Sequence, residues 1–218
     1  MFDWLFQLIE VSIEFLNGLV GGYGLAIVIF TVIIKMLLLP LTLKQTKSMK
    51  AMKELQPEME KIKSKYEDNK EKQQEAMMKL YQENNVNPIA GCLPMILQMA
   101  IIIPLYRTIL AMSDAFGDEV FLWIGRITEG SLAEPDIPLV ILNGLVMVIQ
   151  TKFTSGMSGG DGKASMMMWI MPIMVVFIGF SLPAGIMIYW FTSTVIIVAQ
   201  HFFIHRQDEE PETAVKEA

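Results

Sequence analysis

The sequence predicts an all-α polytopic membrane protein: five transmembrane helices, an interfacial amphipathic helix before them and a cytoplasmic helical hairpin after the first. Three observations carry that expectation. Of the 218 residues 53% are hydrophobic, and they fall into long blocks instead of being scattered as in a soluble core. Lys and Arg are strongly uneven between the segments that separate the blocks. A lysine, Lys35, stands in the middle of the most apolar block.

Residues 1–23 read as an interfacial helix. Asp3, Gln7, Glu10, Glu14 and Asn17 recur at spacings of four and three and form one polar stripe, with Leu5, Phe6, Ile9, Ile13 and Leu16 on another side. That apolar side is expected to lie in the acyl chains at the outer interface. Gly18, Gly21, Gly22 and Gly24 then supply a turn. The five-span core is expected over 24–203, with spans at about 24–43, 89–112, 137–153, 165–182 and 184–204. The third and fourth are short for the ~20 residues that cross a bilayer. An acidic tail, 204–218, should be disordered from Asp208.

Between the first two spans, 44–86 carries a helical hairpin. Met49, Met52, Leu55, Met59, Ile62 and Tyr66 follow a three-four rhythm and suit a seam between its two helices, although methionines also suit adaptable apolar contacts. Pro57 should kink the first helix, Asp68 and Asn69 mark the reversal, and the second helix runs over Glu71–Glu83. Pro94, Pro104, Pro172 and Pro183 are expected to bend the later spans. Residues 156–162, rich in Gly and Ser, read as a flexible connection.

Orientation follows from the basic residues. Ten lysines lie between Lys44 and Pro88, and Lys152, Lys163, Arg206 and Lys216 lie in the other segments of the same parity. The first 23 residues contain no Lys or Arg, and Ser113–Asp136 holds Arg126 alone against six acids. Five crossings put the N-terminus outside and the C-terminus in the cytoplasm. The net charge of −6 averages these opposite faces.

The residue types needed for chemistry are scarce. The one cysteine, Cys92, excludes an internal disulfide and a cysteine metal cluster. The two histidines, His201 and His205, both fall at the end of the last span. No span serine has a histidine and an acid to activate it, and no glycine-rich phosphate loop is present. No enzyme activity, cofactor or metal is expected, nor nucleic-acid binding, and no secretory leader is evident.

Lys35 carries the functional argument. A lysine at mid-membrane costs roughly 2.5–3.5 kcal/mol on insertion scales, and no apolar span holds a carboxylate to pair with it. A water-filled recess opening to one side keeps it at least cost, and a polar or acidic ligand could enter there. The competing reading is a snorkelling lysine, although Leu38, Leu39, Leu41 and Leu43 still follow it. Arg107, near a helix end, reads as snorkelling.

Three segments, in this order, resemble the YidC/Oxa/Alb membrane protein insertases in their short five-span bacterial form. They are IIKMLLLPLTLKQTKSMKAMKELQPEMEKIKSKY (33–66), NPIAGCLPMILQM (87–99) and MPIMVVFIGFSLPAGIMIYWFTS (171–193). The resemblance implies a helical bundle around a hydrophilic groove, open to cytoplasm and lipid and closed outside. Lys35 matches the basic groove residue, and Thr31 and Trp190 match substrate-contacting positions. Gln150 would line the groove, and Gln98 could line it or join helices. The implied partners are nascent membrane proteins and lipid, with the ribosome, the signal recognition particle pathway and the Sec translocon as further candidates. The implied site is the bacterial plasma membrane, and one groove per chain implies a monomer. The chain departs from the pattern in three ways. Lys35 replaces the usual arginine, Thr194 stands where asparagine is common, and the basic tail of some members is missing. An anion transporter or a scaffold would also suit the composition. No matched inverted halves support the former, and a scaffold has no need of Lys35.

Overall fold

The computed structural model describes residues 3–87, 93–117, 119–124, 130–158 and 162–216. Cys92 and Arg126 lie outside the described residues, as does the centre of the Gly/Ser connection, 159–161. Among the described residues the chain is helical apart from loops and a single bridge between Phe121 and Ile124. Its helices are α1 (Asp3–Val20), α2 (Tyr23–Glu54), α3 (Gln56–Lys65), α4 (Lys70–Glu83), α5 (Leu93–Ala111), α6 (Ser113–Gly117), α7 (Ile137–Ser158), α8 (Gly162–Gly179) and α9 (Ala184–Lys216).

Helix α1 has three faces rather than the two read from its sequence. Ile9 and Ile13 are buried, and Leu5, Leu16 and Val20 pack around them against α2 and α5. The face expected in the acyl chains is therefore the one that docks on protein. A second apolar stripe, Trp4, Leu8, Val11, Phe15 and Leu19, recurs every three or four residues and stays exposed. The polar stripe completes the circuit. A helix that must satisfy protein, hydrocarbon and water at once needs all three sectors. Ile13→Ala should therefore lower stability by about 2–5 kcal/mol through the cavity it leaves. Phe15→Ala, at a side chain 66% exposed, should leave the melting temperature in detergent nearly unchanged.

Helix α2 has 32 residues and spans about 48 Å at 1.5 Å per residue, so it outruns a hydrocarbon core of ~30 Å. Only 28% of its apolar window is buried, against the near-complete burial of a soluble core helix. Among the described residues two helices can cross a membrane by length and composition, Tyr23–Glu54 and Ala184–Phe202, and Ile96–Ala111 and Ile137–Phe153 are shorter apolar helices. The shorter ones also expose apolar stripes: Ile96, Met99, Ile103, Tyr106 and Leu110 on α5, and Ile137, Ile141, Leu145, Ile149 and Phe153 on α7. Outward-facing hydrocarbon on this scale is what lipid solvates and water does not.

The packed core gathers at one end of the bundle. Ile27 and Phe30 of α2, Leu105 and Ile109 of α5, Leu139 and Val140 of α7, and Ile186 to Tyr189 of α9 are all buried there. Phe116, Ile124 and Leu132, from the segment that links α5 to α7, plug the same end. That segment also caps two helices. Asp136 Oδ1 accepts from Leu139 N at 2.8 Å at the start of α7 and from Trp123 Nε1 at 3.0 Å. The carbonyls of Glu134 and Leu132 accept from the first α9 amides, Ala184 N at 2.7 Å and Gly185 N at 2.9 Å. Gly185 eases this close approach, because a Cβ would lie 2.9 Å from Ile109 Cδ1 and push that side-chain end aside. Gly144 similarly lets α7 approach α8, since a Cβ would come within 2.7 Å of Val176 Cγ2.

Helices α3 and α4 pack antiparallel: Tyr81 Oη donates to Met59 Sδ and Gln73 Nε2 donates to Lys63 O, so register falls on one helix as it rises on the other. Leu55, Leu80 and Val86 form their small core with Met52, Met59 and Ile62, and burial pushes the Tyr81 phenol above its ordinary pKa. Met52 and Met59 thus sit in the seam. Pro57 does not kink a continuous helix. α2 ends at Glu54, and Pro57 lies in the first turn of α3, where a proline costs no hydrogen bond. Asn69 caps α4 by accepting from Lys72 N.

Two further expectations are revised. Arg107 does not simply snorkel: its Nη1 lies 3.4 Å from Asp3 Oδ1 and its guanidinium covers the Phe6 ring at 5.0 Å, which ties α5 to α1. The acidic tail is helical in backbone to Lys216, as an extension of α9. Adding residues to an existing helix avoids the nucleation step that an isolated acidic peptide would face.

Candidate functional site

Away from the plugged end the bundle loosens. In α2 no residue from Val32 to Lys44 is buried, after an unbroken pattern of buried positions up to Thr31. In α5, described residues 96–103 likewise contain no buried side chain, whereas Pro104 and Leu105 are buried. Lys35 and Gln98 fall in these two open stretches, on facing helices. The sequence dictates the contrast: small and β-branched residues such as Ala26 and Ile27 pack closely, while Lys35 demands polar company.

The polar centre is built on one atom. Lys35 Nζ donates to Gln98 Oε1 at 3.4 Å, and the fully buried Tyr189 donates its hydroxyl to the same oxygen at 3.4 Å. Helices α2, α5 and α9 therefore converge on the Gln98 amide. The Lys35 contact is to a residue 63 positions away, so its ammonium is engaged within the bundle. No cluster of His, Cys, Asp or Glu that could hold a metal occurs among the described residues.

The other expected site residues divide. Trp190 on α9 is half-buried and packs against the core, and its carbonyl accepts from Thr194 Oγ1 at 2.9 Å. Gln150 on α7 is half-buried. Thr31 is covered by neighbouring helices, 0% exposed, with Oγ1 donating to Ile27 O at 2.6 Å. It shares a face of α2 with Lys35. Sequence reasoning missed Tyr189, whose signal was present as an aromatic hydroxyl one residue before Trp190. It also passed over Asn143, fully buried on α7, whose Nδ2 donates to Leu139 O and, at 3.1 Å, to Met187 O of α9.

Comparison with known proteins agrees with this architecture. The sequence model described as 60Kd inner membrane protein matches residues 15–211. The membrane protein insertase YidC of Fusobacterium nucleatum subsp. nucleatum is 41% identical over 211 residues, covering 94% of this chain and 98% of that protein. Membrane protein insertase YidC 2 of Bacillus anthracis is 39% identical over 92% of this chain and 79% of that protein. The YidC of Geobacter sulfurreducens is 37% identical over 89% of this chain, which spans only 36% of that longer protein. A solved crystal structure of an active YidC insertase, with its first transmembrane domain resolved, superposes with a TM-score of 0.73. It is 31% identical, covering 93% of this chain and 46% of that one. With a family match over residues 15–211 and a relative 41% identical that the chain covers over 98% of its length, it belongs to the 60Kd inner membrane protein family of YidC membrane protein insertases.

Proposed function

We propose that this protein inserts nascent membrane proteins into the bacterial plasma membrane, by admitting their polar tails to a recess around Lys35. The observation that carries the reading is the coincidence of a lysine engaged inside the bundle with the stretch where α2 and α5 lose their packing. Five spans, built on α2, α5, α7, α8 and α9, place the plugged end outside and the loose end with the α3–α4 hairpin in the cytoplasm. Charge asymmetry supports this orientation.

In this reading the recess holds water, so a tail loses less hydration than it would in hydrocarbon. Lys35 attracts acidic groups, and Gln98, Gln150 and Trp190 line the path. The substrate's apolar helix partitions into lipid along the exposed faces of α5 and α8, at roughly 25 cal/mol per Å² of apolar surface removed from water. No bond is made or broken by the protein. Thr31 supports the floor from below. The hairpin, with Met77 and Met78 beside a cavity of about 500 Å³ that Lys63 also lines, offers a first contact for substrate, ribosome or targeting factors.

The test is site-specific photo-crosslinking from Trp190 and Gln150 to stalled nascent chains of a single-span protein with an acidic tail. Crosslinks from both positions are expected, and a position on the exposed outer stripe of α1, such as Val11, should give none. Equal labelling from Val11, or none from Trp190 and Gln150, would defeat the recess reading.

A further inference from the structure

The arrangement around Gln98 goes beyond the presence of a basic residue. A lysine ammonium has donors and no acceptor, so the Gln98 amide must turn its oxygen towards Lys35. Tyr189 reinforces the same choice, because its hydroxyl also donates to that oxygen. The tyrosine is fully buried on α9, so its hydroxyl is fixed by packing. It therefore acts as a rigid reference against which the half-buried amide is set.

Distance matters as much as identity. Both bonds measure 3.4 Å, long beside the usual ~2.9–3.0 Å. The partner of Lys35 is a neutral amide, not a carboxylate. Thr31 and Thr42, its hydroxyl neighbours on α2, are each committed to a carbonyl of their own helix. A charged carboxylate can approach an ammonium to about 2.7–2.9 Å and bind it roughly twice as strongly as a neutral acceptor.

We propose that Tyr189 is a positioning residue which, by orienting the Gln98 amide, holds the Lys35 ammonium in the recess on a weak neutral acceptor that a substrate carboxylate can displace. The inference rests on the reading of the recess as the substrate site and adds how it prefers acidic tails. When a carboxylate takes Lys35, the Gln98 oxygen keeps Tyr189, so no buried polar group is stranded by the exchange. A carboxylate permanently in place of the amide would remove the preference, and loss of the tyrosine hydroxyl would free the amide to rotate.

The experiment compares insertion of two substrates, identical except for an acidic or a neutral tail, into vesicles holding the full-length protein. The readout is the acidic-to-neutral ratio, which a merely structural role would not move. Tyr189→Phe should lower that ratio about three- to fivefold, the size of one neutral hydrogen bond. Gln98→Glu, which still accepts from Tyr189 but pairs with Lys35, should bring it to unity. Thermal melting in detergent checks folding, and if Tyr189→Phe fails to fold, Gln98→Glu decides. A ratio unchanged in both variants but collapsed by Lys35→Ala would overturn the positioning role and leave the recess intact. A ratio that even Lys35→Ala does not change would overturn the recess itself and the proposal with it.

Discussion

Lys35→Glu should reduce insertion of acidic-tailed substrates by about ten- to a hundredfold while sparing neutral-tailed ones much more. Two unit charges 4 Å apart interact by about 4 kcal/mol at an effective dielectric constant near 20. Water in the proposed recess screens this to about a third. Reversing the sign exchanges an attraction for a repulsion, so the difference is about 2–3 kcal/mol, or one to two orders of magnitude. The glutamate would also face Gln98 Oε1, which now accepts from Lys35, placing acceptor against acceptor until the amide turns. Because Tyr189 opposes that turn, the variant should bind acidic tails less well than Lys35→Gln does. The comparison is read by protease protection of the translocated tail in the same vesicles. Equal insertion of acidic tails by all three proteins would remove Lys35 from the mechanism.

Asp136→Ala should destabilise the plugged end by about 2–4 kcal/mol, the other large effect. Asp136 is buried, and one oxygen serves both the Leu139 amide and the Trp123 indole. Loss of a helix N-cap costs about 0.5–2 kcal/mol, and a buried donor left without a partner adds about 1–3 kcal/mol. Trp123 packs against the main core, so its release should loosen Ile124 and Leu132 nearby. Asp136→Asn retains an acceptor oxygen and should cost less than half as much. Melting followed by tryptophan fluorescence in detergent distinguishes the two. On the proposed reading, in which the plug closes the end opposite the recess, the alanine variant should also make vesicles leakier to small ions, whereas the asparagine variant should not.

Lys35 was legible as an anomaly because a charge in an apolar block has few permitted environments, whatever the rest of the fold. Trp190 and Gln150 came from resemblance to a family, and their half-buried positions are compatible with a lining role. Thr31, drawn from the same resemblance, is fully covered. Helical spacing correctly puts it on the Lys35 face, but spacing along one helix cannot say where a neighbour ends. The packed end of the bundle reaches as far as Thr31 and stops short of Lys35. Tyr189 was missed because its importance lies in the acceptor it meets, 91 residues away in sequence. The boundary at Leu55 was missed for a local reason: Pro57 can bend a helix or begin one, and the choice depends on whether Leu55 is drawn into the hairpin core.

By itself the sequence determined the class of the protein, the order of its helices and the imbalance of charge along it. Hydrophobic block length, periodicity and lysine placement are properties of neighbouring residues, and solvent acts on them directly. Only the tertiary structure decided which apolar face of α1 meets protein and which stays exposed. It alone showed that the core is concentrated at one end of the bundle and that three helices share the Gln98 oxygen. Those features depend on contacts between residues far apart in the chain, where burial is settled by the neighbour that arrives and not by the residue that waits for it.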